Sequence, residues 1–430
     1  MKAAFYTLGC KVNQNETGAL EHIFEQAGYE IVPHNSTADV YIVNSCTVTA
    51  GGDAKSRQWL RRARRENPGA VTVLTGCFPQ AFPKEALIPE ADVITGTANR
   101  AHLLQDVQQF MASQTQVINI VPHKKGEAFE ELPIENMPGR TRIFVKIQDG
   151  CNRQCAYCII PTARGPVRSR SEDAILAELH TLAGAGYSEV VFTGINLPSY
   201  GKDTATNLAE ITQKSALVPG IQRIRLSSLD PDLITDAQIE TFAATPQLCP
   251  SFHLSLQSGS NDTLRRMRRP YTAEKYREVA KKLLAALPGA SLTTDVIVGF
   301  PGESEEEFAQ SLAFVKEMRF LKVHVFPYST RPGTPAAQFE NQIPKQEKSR
   351  RAALLQQEAD AIRAEWIQEQ HGTLHQVLLE KPVESGLFTG YTGNYIPVRL
   401  HAPSHKQGDI VSARLQEYCA KDDYCVAEMI

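Results

Sequence analysis

Three apolar runs near the start of the chain each end at a cysteine. Residues 3–9, 39–45 and 70–76 are short and rich in apolar side chains, and Cys10, Cys46 and Cys77 follow them directly. Such runs are typical of buried strands in a parallel sheet, and the stretches 16–26 and 54–65 between them have a helical pattern. Positions just beyond the carboxyl ends of parallel strands meet at one edge. We therefore predict a parallel α/β domain that brings the three cysteines together; three unrelated core cysteines are the alternative.

A second cysteine triad lies within a single loop, where Cys151, Cys155 and Cys158 have the spacing C-x₃-C-x₂-C. Thiolates are soft ligands that suit zinc, copper(I) or an iron–sulfur cluster. Structural zinc usually takes a fourth protein ligand, and the next cysteine or histidine in the chain is His180. A triad that stops at three suggests a [4Fe–4S] cluster with one iron left open. Three unrelated thiols are the alternative, although exposed thiols are prone to oxidation.

Repeated strand–helix units follow this loop and predict an α/β fold. Six strand candidates, 143–147, 189–193, 223–227, 252–256, 293–298 and 322–326, alternate with helical stretches such as 171–183, 273–286 and 305–318. This alternation indicates a parallel barrel or part of one. Five short strands then follow at 375–379, 386–391, 395–400, 410–415 and 425–429, and they predict a small closed β-barrel.

The resulting division of the chain has four parts. We predict an N-terminal parallel α/β domain over 1–118, a linker over 119–140, a partial (β/α)₆ barrel over 141–367 and an OB-like β-barrel over 368–430. The linker assignment rests on Pro122, Pro133 and Pro138 and on the charged run that starts at His123.

Composition narrows the class of protein. The 430 residues suffice for two or three domains, and a formal net charge of −3 indicates nucleic-acid binding only through a local patch. No apolar run approaches the roughly 18 residues of a membrane span, and the N-terminus lacks a secretory signal. Nine cysteines, six of them in the two triads, fit a reducing cytoplasm better than a disulfide framework. We expect a cytoplasmic protein without a membrane partner.

Aromatic and basic side chains in the last 60 or so residues suit contacts with nucleic acid. Phe388, Tyr391 and Tyr395 are candidates for base stacking, and Lys381, Arg399, Lys406 and Arg414 for phosphate contacts. A plain packing barrel is the alternative. Two arginine runs, at 61–65 and 265–269, are further phosphate candidates or simply solvated helix faces.

The cysteine loop after the first strand of a six-unit βα barrel resembles the radical S-adenosylmethionine (SAM) superfamily. In that family SAM chelates the open iron of a [4Fe–4S] cluster. The resemblance implies that Cys151, Cys155 and Cys158 hold this cluster. It also implies that the small or polar residues at later strand ends bind SAM, namely Thr193, Gly194, Asn196, Ser255, Gln257 and Gly299.

Taken in order, the whole chain is similar to the methylthiotransferase family. The motifs that carry this resemblance are TLGCKVN at 7–13, VNSCTV at 43–48, TGC at 75–77, GCNRQCAYCIIP at 150–161, RGPVRSR at 164–170, LQSGS at 256–260 and FPYS at 326–329. That family joins a three-cysteine domain, a radical SAM barrel and a C-terminal RNA-binding TRAM domain. The resemblance implies that Cys10, Cys46 and Cys77 hold an auxiliary [4Fe–4S] cluster that carries the sulfur to be inserted.

The forms of residues 7–13 and 164–168 are most similar to the branch that acts on N6-threonylcarbamoyladenosine at position 37 of tRNA. The resemblance implies a 2-methylthio product, two SAM per turnover, the tRNA anticodon loop as partner and a flavodoxin- or ferredoxin-like electron donor. It leaves the sulfur source open and predicts no catalytic residue beyond the cluster ligands. Alternatives are the 2-methylthio-N6-isopentenyladenosine branch, the branch that modifies a ribosomal-protein aspartate and, in a different class, a non-enzymatic RNA-binding iron–sulfur redox sensor.

Overall fold

A parallel six-stranded sheet forms the first part of the chain in the computed structural model, which describes residues 1–137 and 139–430. The strand order is β2-β1-β3-β4-β5-β6. The strands are β1 (Lys2–Thr7), β2 (Glu30–Val32), β3 (Val40–Ser45), β4 (Val71–Gly76), β5 (Val93–Thr95) and β6 (Val117–Asn119), and the helices are α1 (Lys11–Gln26), α2 (Ala50–Glu66), α3 (Cys77–Ala81) and α4 (Leu103–Ser113). The three strands that end at cysteines are confirmed as parallel neighbours β1, β3 and β4.

The segment between this sheet and the next strand is irregular and lies along the surface of the domains. Gln80 Nε2 donates to Val121 O at 3.0 Å, and Ile134 is buried and donates through its backbone to Glu178 Oε1 at 3.1 Å. Pro138, one of the three prolines on which the linker prediction rests, lies outside the described residues.

Six parallel strand positions form an open arc in the middle of the chain. Its strands pair as β7-β10-β11 and as β12-β13-β14-β15; β11 and β12, separated by Ser227 alone, together occupy one of the six positions. The strands are β7 (Arg142–Lys146), β10 (Glu189–Thr193), β11 (Arg223–Leu226), β12 (Ser228–Leu229), β13 (Ser251–Leu254), β14 (Ser291–Val298) and β15 (Lys322–Pro327). Within the described residues β7 does not pair with β15, so the predicted partial barrel is confirmed.

Helices cover the outer face of this arc, and a short strand pair flanks the cysteine loop. The helices are α5 (Ile160–Arg164), α6 (Glu172–Gly184), α7 (Leu208–Ser215), α8 (Asp236–Ala243), α9 (Asn261–Arg266), α10 (Ala273–Ala286), α11 (Glu305–Met318) and α12 (Lys345–Gln368); the short strands are β8 (Gln148–Asp149) and β9 (Arg168–Ser169). Helix α11 starts with a capping box between Ser304 and Glu307, as its sequence predicts. No helix of the described residues is long and apolar enough to cross a lipid bilayer.

The last part of the chain is a closed barrel of five strands, as predicted, with the order β16-β17-β18-β20-β19. Its strands are β16 (Leu374–Glu384), β17 (Leu387–Thr392), β18 (Pro397–His401), β19 (Ile410–Cys419) and β20 (Tyr424–Met429). This barrel docks on the amino-terminal end of the arc. Arg225 donates to Gly393 O at 2.8 Å and to Thr392 O at 2.9 Å, and Ser291 Oγ donates to Asn394 O at 2.6 Å.

This docking corrects the predicted roles of three aromatic residues. Phe388 lies in the core of the small barrel, because its side chain alternates inward on β17. Tyr391 and Tyr395 stack on each other and lie under the guanidinium of Arg142, which faces them from the arc. All three rings are therefore used in packing and are not free platforms for RNA bases.

A buried charge network joins the first domain to the arc. Glu16 on α1 is completely buried and accepts hydrogen bonds from Arg164 Nη2 and Lys146 Nζ, both at 3.0 Å, while Arg100 Nη2 lies at 3.1 Å. Lys146 also donates to Asp149 at 3.1 Å. Burial alone would raise the pKa of Glu16, but Arg100, Arg164 and Lys146 outweigh it and lower that pKa to about 2. The carboxylate is therefore charged and fully paired at neutral pH.

Replacing Glu16 by Gln should strongly destabilise the folded protein, because the change leaves three buried cations with one fewer negative charge. Removing one partner of a buried ion pair costs about 3–5 kcal/mol. Urea unfolding at neutral pH measures the loss. Glu25→Gln is the control, since Glu25 lies on the same helix but is exposed. Equal unfolding midpoints for the two variants would contradict this role of Glu16.

Candidate cluster sites and the cavity between them

The first cysteine triad lies at the carboxyl edge of the parallel sheet. Cys10 caps the N-terminus of α1, Cys46 follows β3, and Cys77 begins α3 directly after β4. All three carry free thiols; Cys77 is buried, Cys46 is half-buried and Cys10 is exposed. Successive βα units thus deliver one thiol each to the same edge.

Gly9 and Asn13 bring the first two of these cysteines close together. Gly9 has a φ of 107°, and a Cβ there would lie 2.8 Å from Cys46 Cβ and 3.0 Å from its Sγ. Asn13 Nδ2 donates to Leu8 O and to Ser45 O, both at 2.9 Å. The residue three positions after Cys10 therefore ties its loop to the segment that ends at Cys46.

Arg164 places a positive charge at the third thiol of this triad. Its Nε donates to Cys77 Sγ at 3.2 Å, and its Nη2 donates to Asn13 Oδ1 at 2.7 Å. Burial raises the pKa of Cys46 to about 12, and the neighbouring Cys77 adds to the shift. Burial likewise raises the pKa of Cys77, while Arg164 acts in the opposite direction. Ionisation of one of these buried thiols makes ionisation of its neighbour harder. A metal centre would remove this obstacle, because its positive charge stabilises thiolates.

The second triad lies in the loop between β8 and α5. Cys155 is buried, and Cys151 and Cys158 are half-buried free thiols. Gly150 has a φ of 72°, and a Cβ there would lie only 1.8 Å from Pro166 O, so the loop can pass this point only with glycine. The middle of the loop is anchored at Ala156, which donates to Met267 O at 2.9 Å and accepts from the backbone N–H of Ala336 at 2.8 Å.

Two side chains from the arc donate to sulfur atoms of this loop. Arg269 Nη1 donates to Cys155 Sγ at 3.1 Å, and Asn196 Nδ2 donates to Cys151 Sγ at 3.8 Å. Burial raises the pKa of Cys158 to about 12, and Cys155 adds to the shift. Arg269 also pairs with Asp230. The sequence predicts Arg269 as a candidate phosphate contact, but in the structure its side chain contacts the cysteine loop.

Five of the seven other arginines of the two predicted runs have acidic partners nearby. On α2, Arg61 pairs with Glu90, Arg62 with Glu66 and Arg64 with Asp92. On α9, Arg265 pairs with Asp262 and Arg266 with Glu307. These pairings favour the interpretation of both runs as solvated helix faces.

A compact trio of metal-type ligands lies on the inner face of the arc, away from both cysteine triads. In the part of the chain that the structure describes, the one trio of metal-type ligands with all donor atoms within 4.8 Å is His253, Asp295 and His324.

The six residues predicted to bind SAM lie at or just after the carboxyl ends of β10, β13 and β14. Asn196 contacts the cysteine loop, and Gln257, at a φ of 67°, lines a cavity beside Tyr157. Thr193 is buried, and Ser255 O accepts from the hydroxyl of Tyr271 at 2.7 Å.

Both glycines of the set make tight packing contacts. A Cβ on Gly194 would lie 2.7 Å from Gln148 Oε1, and a Cβ on Gly299 would lie 2.4 Å from Lys348 Cγ on α12. Among the six, Asn196 and Gln257 are the side chains that reach the cysteine loop or this cavity; SAM binding by the set stays a prediction.

A cavity of about 200 Å³ lies between the two cysteine-bearing domains. Val48 and Thr49, which closely follow Cys46, line it from the first domain; the arc contributes Tyr157, Gln257, Asp295, Ile297, Phe326, Pro327, Tyr328 and Ser329. Ser329 Oγ accepts from the backbone N–H of Ala50 at 3.2 Å. The segment after Cys46 is thus held over the strand ends, and the cavity is lined by residues within three positions of a cysteine of each triad.

Three residues of the site have roles that their sequence motifs did not reveal. Asn13, Arg164 and Arg269 lie in motifs or runs singled out above, yet their contacts are with segments far away in the chain. The sequence gives one indication of these roles: Asn13 lies in the motif that contains Cys10, and Arg164 begins the motif that follows the second cysteine triad.

Two family models match the chain. The model described as the radical SAM superfamily matches residues 145–315, and the model described as uncharacterized protein family UPF0004 matches residues 2–96. The loop with Cys151, Cys155 and Cys158 lies in the first match, and Cys10, Cys46 and Cys77 lie in the second.

Full-length relatives carry related names. The chain is 41% identical to the threonylcarbamoyladenosine tRNA methylthiotransferase MtaB of Bacillus subtilis, over 96% of this chain and 93% of that protein. It is 35% identical to the MtaB protein of Thermotoga maritima, over 99% and 96%. It is also 36% identical to the tRNA-2-methylthio-N(6)-dimethylallyladenosine synthase of Pelotomaculum thermopropionicum, over 90% and 88%.

Among solved structures, the fold resembles the radical SAM methyltransferase TsrM from Kitasatospora setae with cobalamin and a [4Fe-4S] cluster bound. The TM-score is 0.58 at 13% identity, over 78% of this chain and 73% of that chain. At this identity the likeness concerns the fold alone.

Proposed function

The chain belongs to the radical SAM methylthiotransferase family, and we propose that it converts N6-threonylcarbamoyladenosine at position 37 of tRNA into its 2-methylthio derivative. The observation that carries the proposal is one cavity lined both by Val48 and Thr49, which closely follow Cys46, and by Tyr157, which precedes Cys158. Replacing an unactivated C–H bond by a C–S bond needs a radical source and a sulfur donor at the same carbon. The names of the MtaB relatives support the substrate.

The cofactors follow from the family and from the two donor sets. A radical SAM enzyme uses SAM and a [4Fe–4S] cluster, and we propose Cys151, Cys155 and Cys158 as its ligands. We propose a second [4Fe–4S] cluster on Cys10, Cys46 and Cys77. When bound, the first cluster supplies an electron for cleavage of SAM to a 5′-deoxyadenosyl radical, and the second supplies a site for the sulfur. Two SAM are used per product, one as methyl donor and one as radical source.

The chain's own residues position these groups. Arg164 and Arg269 each donate to one ligand sulfur, and such donors stabilise a thiolate and orient it. We propose Asn196 and Gln257 as SAM contacts, because Asn196 donates to Cys151 Sγ and Gln257 lines the cavity beside Tyr157. The segment that carries Thr49 and Ala50 covers the strand ends and limits the access of water to the cavity.

Exposed cations on the C-terminal barrel are the proposed contacts for the tRNA backbone. Lys381, Lys406 and Arg414 are exposed, whereas Arg399 stacks on Tyr424. The target adenosine lies in a single-stranded loop, from which a base can be splayed into a cavity. Phe326 suits stacking of that base, since its ring is 41% exposed and lines the cavity.

We also propose an electron donor and a cellular compartment. A flavodoxin- or ferredoxin-like protein would reduce the SAM-binding cluster, and the cytoplasm is the compartment in which tRNA is available. Nine cysteines, six of them in the two triads, fit a reducing compartment better than a disulfide framework.

The proposal is tested by tRNA nucleoside analysis of a strain that lacks the gene. Mass spectrometry should show loss of the methylthio-threonylcarbamoyl nucleoside and accumulation of its unmodified precursor. Loss of the methylthio form of the dimethylallyl nucleoside instead would assign the chain to the other branch among its relatives. A non-enzymatic redox sensor is distinguished more simply, because anaerobically reduced protein with SAM would then yield no 5′-deoxyadenosine.

Changing Cys151, Cys155 and Cys158 together to Ala should abolish SAM cleavage and leave the other triad loaded. The triads lie in separate domains, so they should bind iron independently. Iron analysis is expected to fall from about eight to about four per chain. A triple variant that retains all its iron would exclude this loop as a cluster site.

Changing Cys10, Cys46 and Cys77 together to Ala should preserve 5′-deoxyadenosine formation but eliminate methylthio-tRNA. The SAM site would remain complete, while no sulfur would be held at the cavity. Chromatography of nucleosides and of SAM products from the same reaction measures both. Methylthio product at the wild-type yield would show that the sulfur comes from elsewhere.

Changing Lys381, Lys406 and Arg414 together to Gln should weaken tRNA binding and reduce its salt dependence, with SAM cleavage unaffected. Loss of three phosphate contacts lowers the slope of log affinity against log salt by about 2. Truncation of the domain is less suitable, because the barrel also accepts hydrogen bonds from Arg225. Lys281→Gln on α10 is the control, and an unchanged slope in the triple variant would assign RNA binding to another surface.

A further inference from the structure

A second, larger cavity lies inside the arc, below the strand ends. Its volume is about 470 Å³, and its walls are inward-facing residues of the strands, Lys11 of α1 and residues of the C-terminal barrel such as Tyr391 and Tyr395. On the side of β15 it opens to solvent, because Lys322, His324 and Phe326 on the inner face of that strand are exposed. The roles proposed above leave this cavity unassigned.

Lys11 is a partly buried cation on this cavity that lacks a partner. Within residues 1–137 and 139–430 its ammonium makes neither a salt bridge nor a hydrogen bond. Other buried or half-buried cations nearby have acidic partners. Arg225 pairs with Glu189, Arg363 with Asp423, and Lys146 with Glu16. Lys11 therefore presents an uncompensated positive charge to a space large enough for a small group.

The nearby carboxylate of Asp295 already has a partner. Asp295 lies on the inner face of β14, and its carboxylate is 3.2 Å from Nε2 of His253. The Nδ1 atom of His253 shares a hydrogen bond of 2.9 Å with Thr293 Oγ1, so that ring is fixed. His324, across the cavity, faces the same pair. Of the other acids on this cavity, Asp423 pairs with Arg363 and Asp422 is exposed, and neither forms an ion pair with Lys11.

The two cavities lie one below the other along the same strands. On β14, Asp295 lines the strand-end cavity and Thr293 the inner one; on β15, Phe326 lines the first and His324 the second. Residues two apart on a strand face the same side and lie about 6.6 Å apart. A carboxylate four covalent bonds from a base nitrogen reaches about 5 Å when extended. Such a substituent on a base stacked on Phe326 therefore spans most of the step from the strand-end cavity to the inner cavity, where the long side chain of Lys11 can meet it.

We propose that Lys11 binds the carboxylate of the threonylcarbamoyl group on N6 of the target adenosine. This inference rests on the proposed function and names the residue that reads its substrate. The ammonium would form a charge-assisted hydrogen bond with the carboxylate inside a partly enclosed cavity. A neutral, apolar N6 substituent would leave the lysine without a partner, so the same contact selects against it.

The test pairs a change in the protein with a change in the substrate. Anaerobically reconstituted wild type and Lys11→Gln are assayed on two synthetic anticodon stem-loops, one with the natural carboxylate and one with the isosteric carboxamide. For wild type, kcat/KM should be about 10- to 100-fold higher on the carboxylate RNA. For Lys11→Gln that preference should disappear, mainly through loss on the carboxylate RNA. Lys281→Gln, an exposed lysine on α10, should keep the wild-type preference.

Iron content serves as the control, because Lys11 adjoins Cys10. The Lys11→Gln protein should bind as much iron as wild type and still form 5′-deoxyadenosine. The wild-type preference for carboxylate over carboxamide tests the inference even if the variant does not fold. Equal rates of wild type on both RNAs, or equal losses of Lys11→Gln on both, would overturn it. If wild type modifies neither RNA but acts on a dimethylallyladenosine stem-loop, the proposed function itself fails.

Discussion

The completely buried carboxylate of Glu16 is the contact on which the arrangement of the site depends. It lies on α1, whose N-cap is Cys10, and it pairs with Arg164, whose Nε contacts Cys77. Arg164 ends α5, the helix that follows the loop with Cys158. One ion pair thus connects both cysteine-bearing segments. Buried charges are costly unless they are paired, so the two domains are stable together only in the register that satisfies this network.

The same network sets the electrostatics between the two sites. Burial would raise the pKa of Asp149, but Lys146, Arg164 and Arg168 lower it, and the carboxylate stays charged two residues before Cys151. Arg164 therefore lies between the Cys77 thiol, at 3.2 Å, and the Asp149 carboxylate, at 3.6 Å. Paired buried charges of this kind fix the segments that carry the two triads relative to each other.

Local patterns predicted the strands that end at cysteines and the helices at 273–286 and 305–318, because their apolar periodicity and caps are strong. Strands β2, β5 and β6 were not predicted, since each has only three residues and too short a pattern. The role of Arg164 could not be predicted because its partner Glu16 is 148 positions away. The sequence predicts Tyr391 and Tyr395 as stacking surfaces for RNA bases. That prediction is wrong, because a sequence does not show which side of a small barrel packs against the neighbouring domain.

The hydrogen bonds that dock the C-terminal barrel on the arc limit the barrel's sequence very little. Arg223 and Arg225 donate to the carbonyls of Gln376, Tyr391, Thr392 and Gly393, and Ser291 donates to that of Asn394. Every residue type supplies a carbonyl, so most of these acceptors survive substitution of the side chains that carry them. These hydrogen bonds are therefore encoded mainly by the side chains of the arc and by the backbone shape of the barrel. Side chains on the outward surface of the barrel can change without removing them.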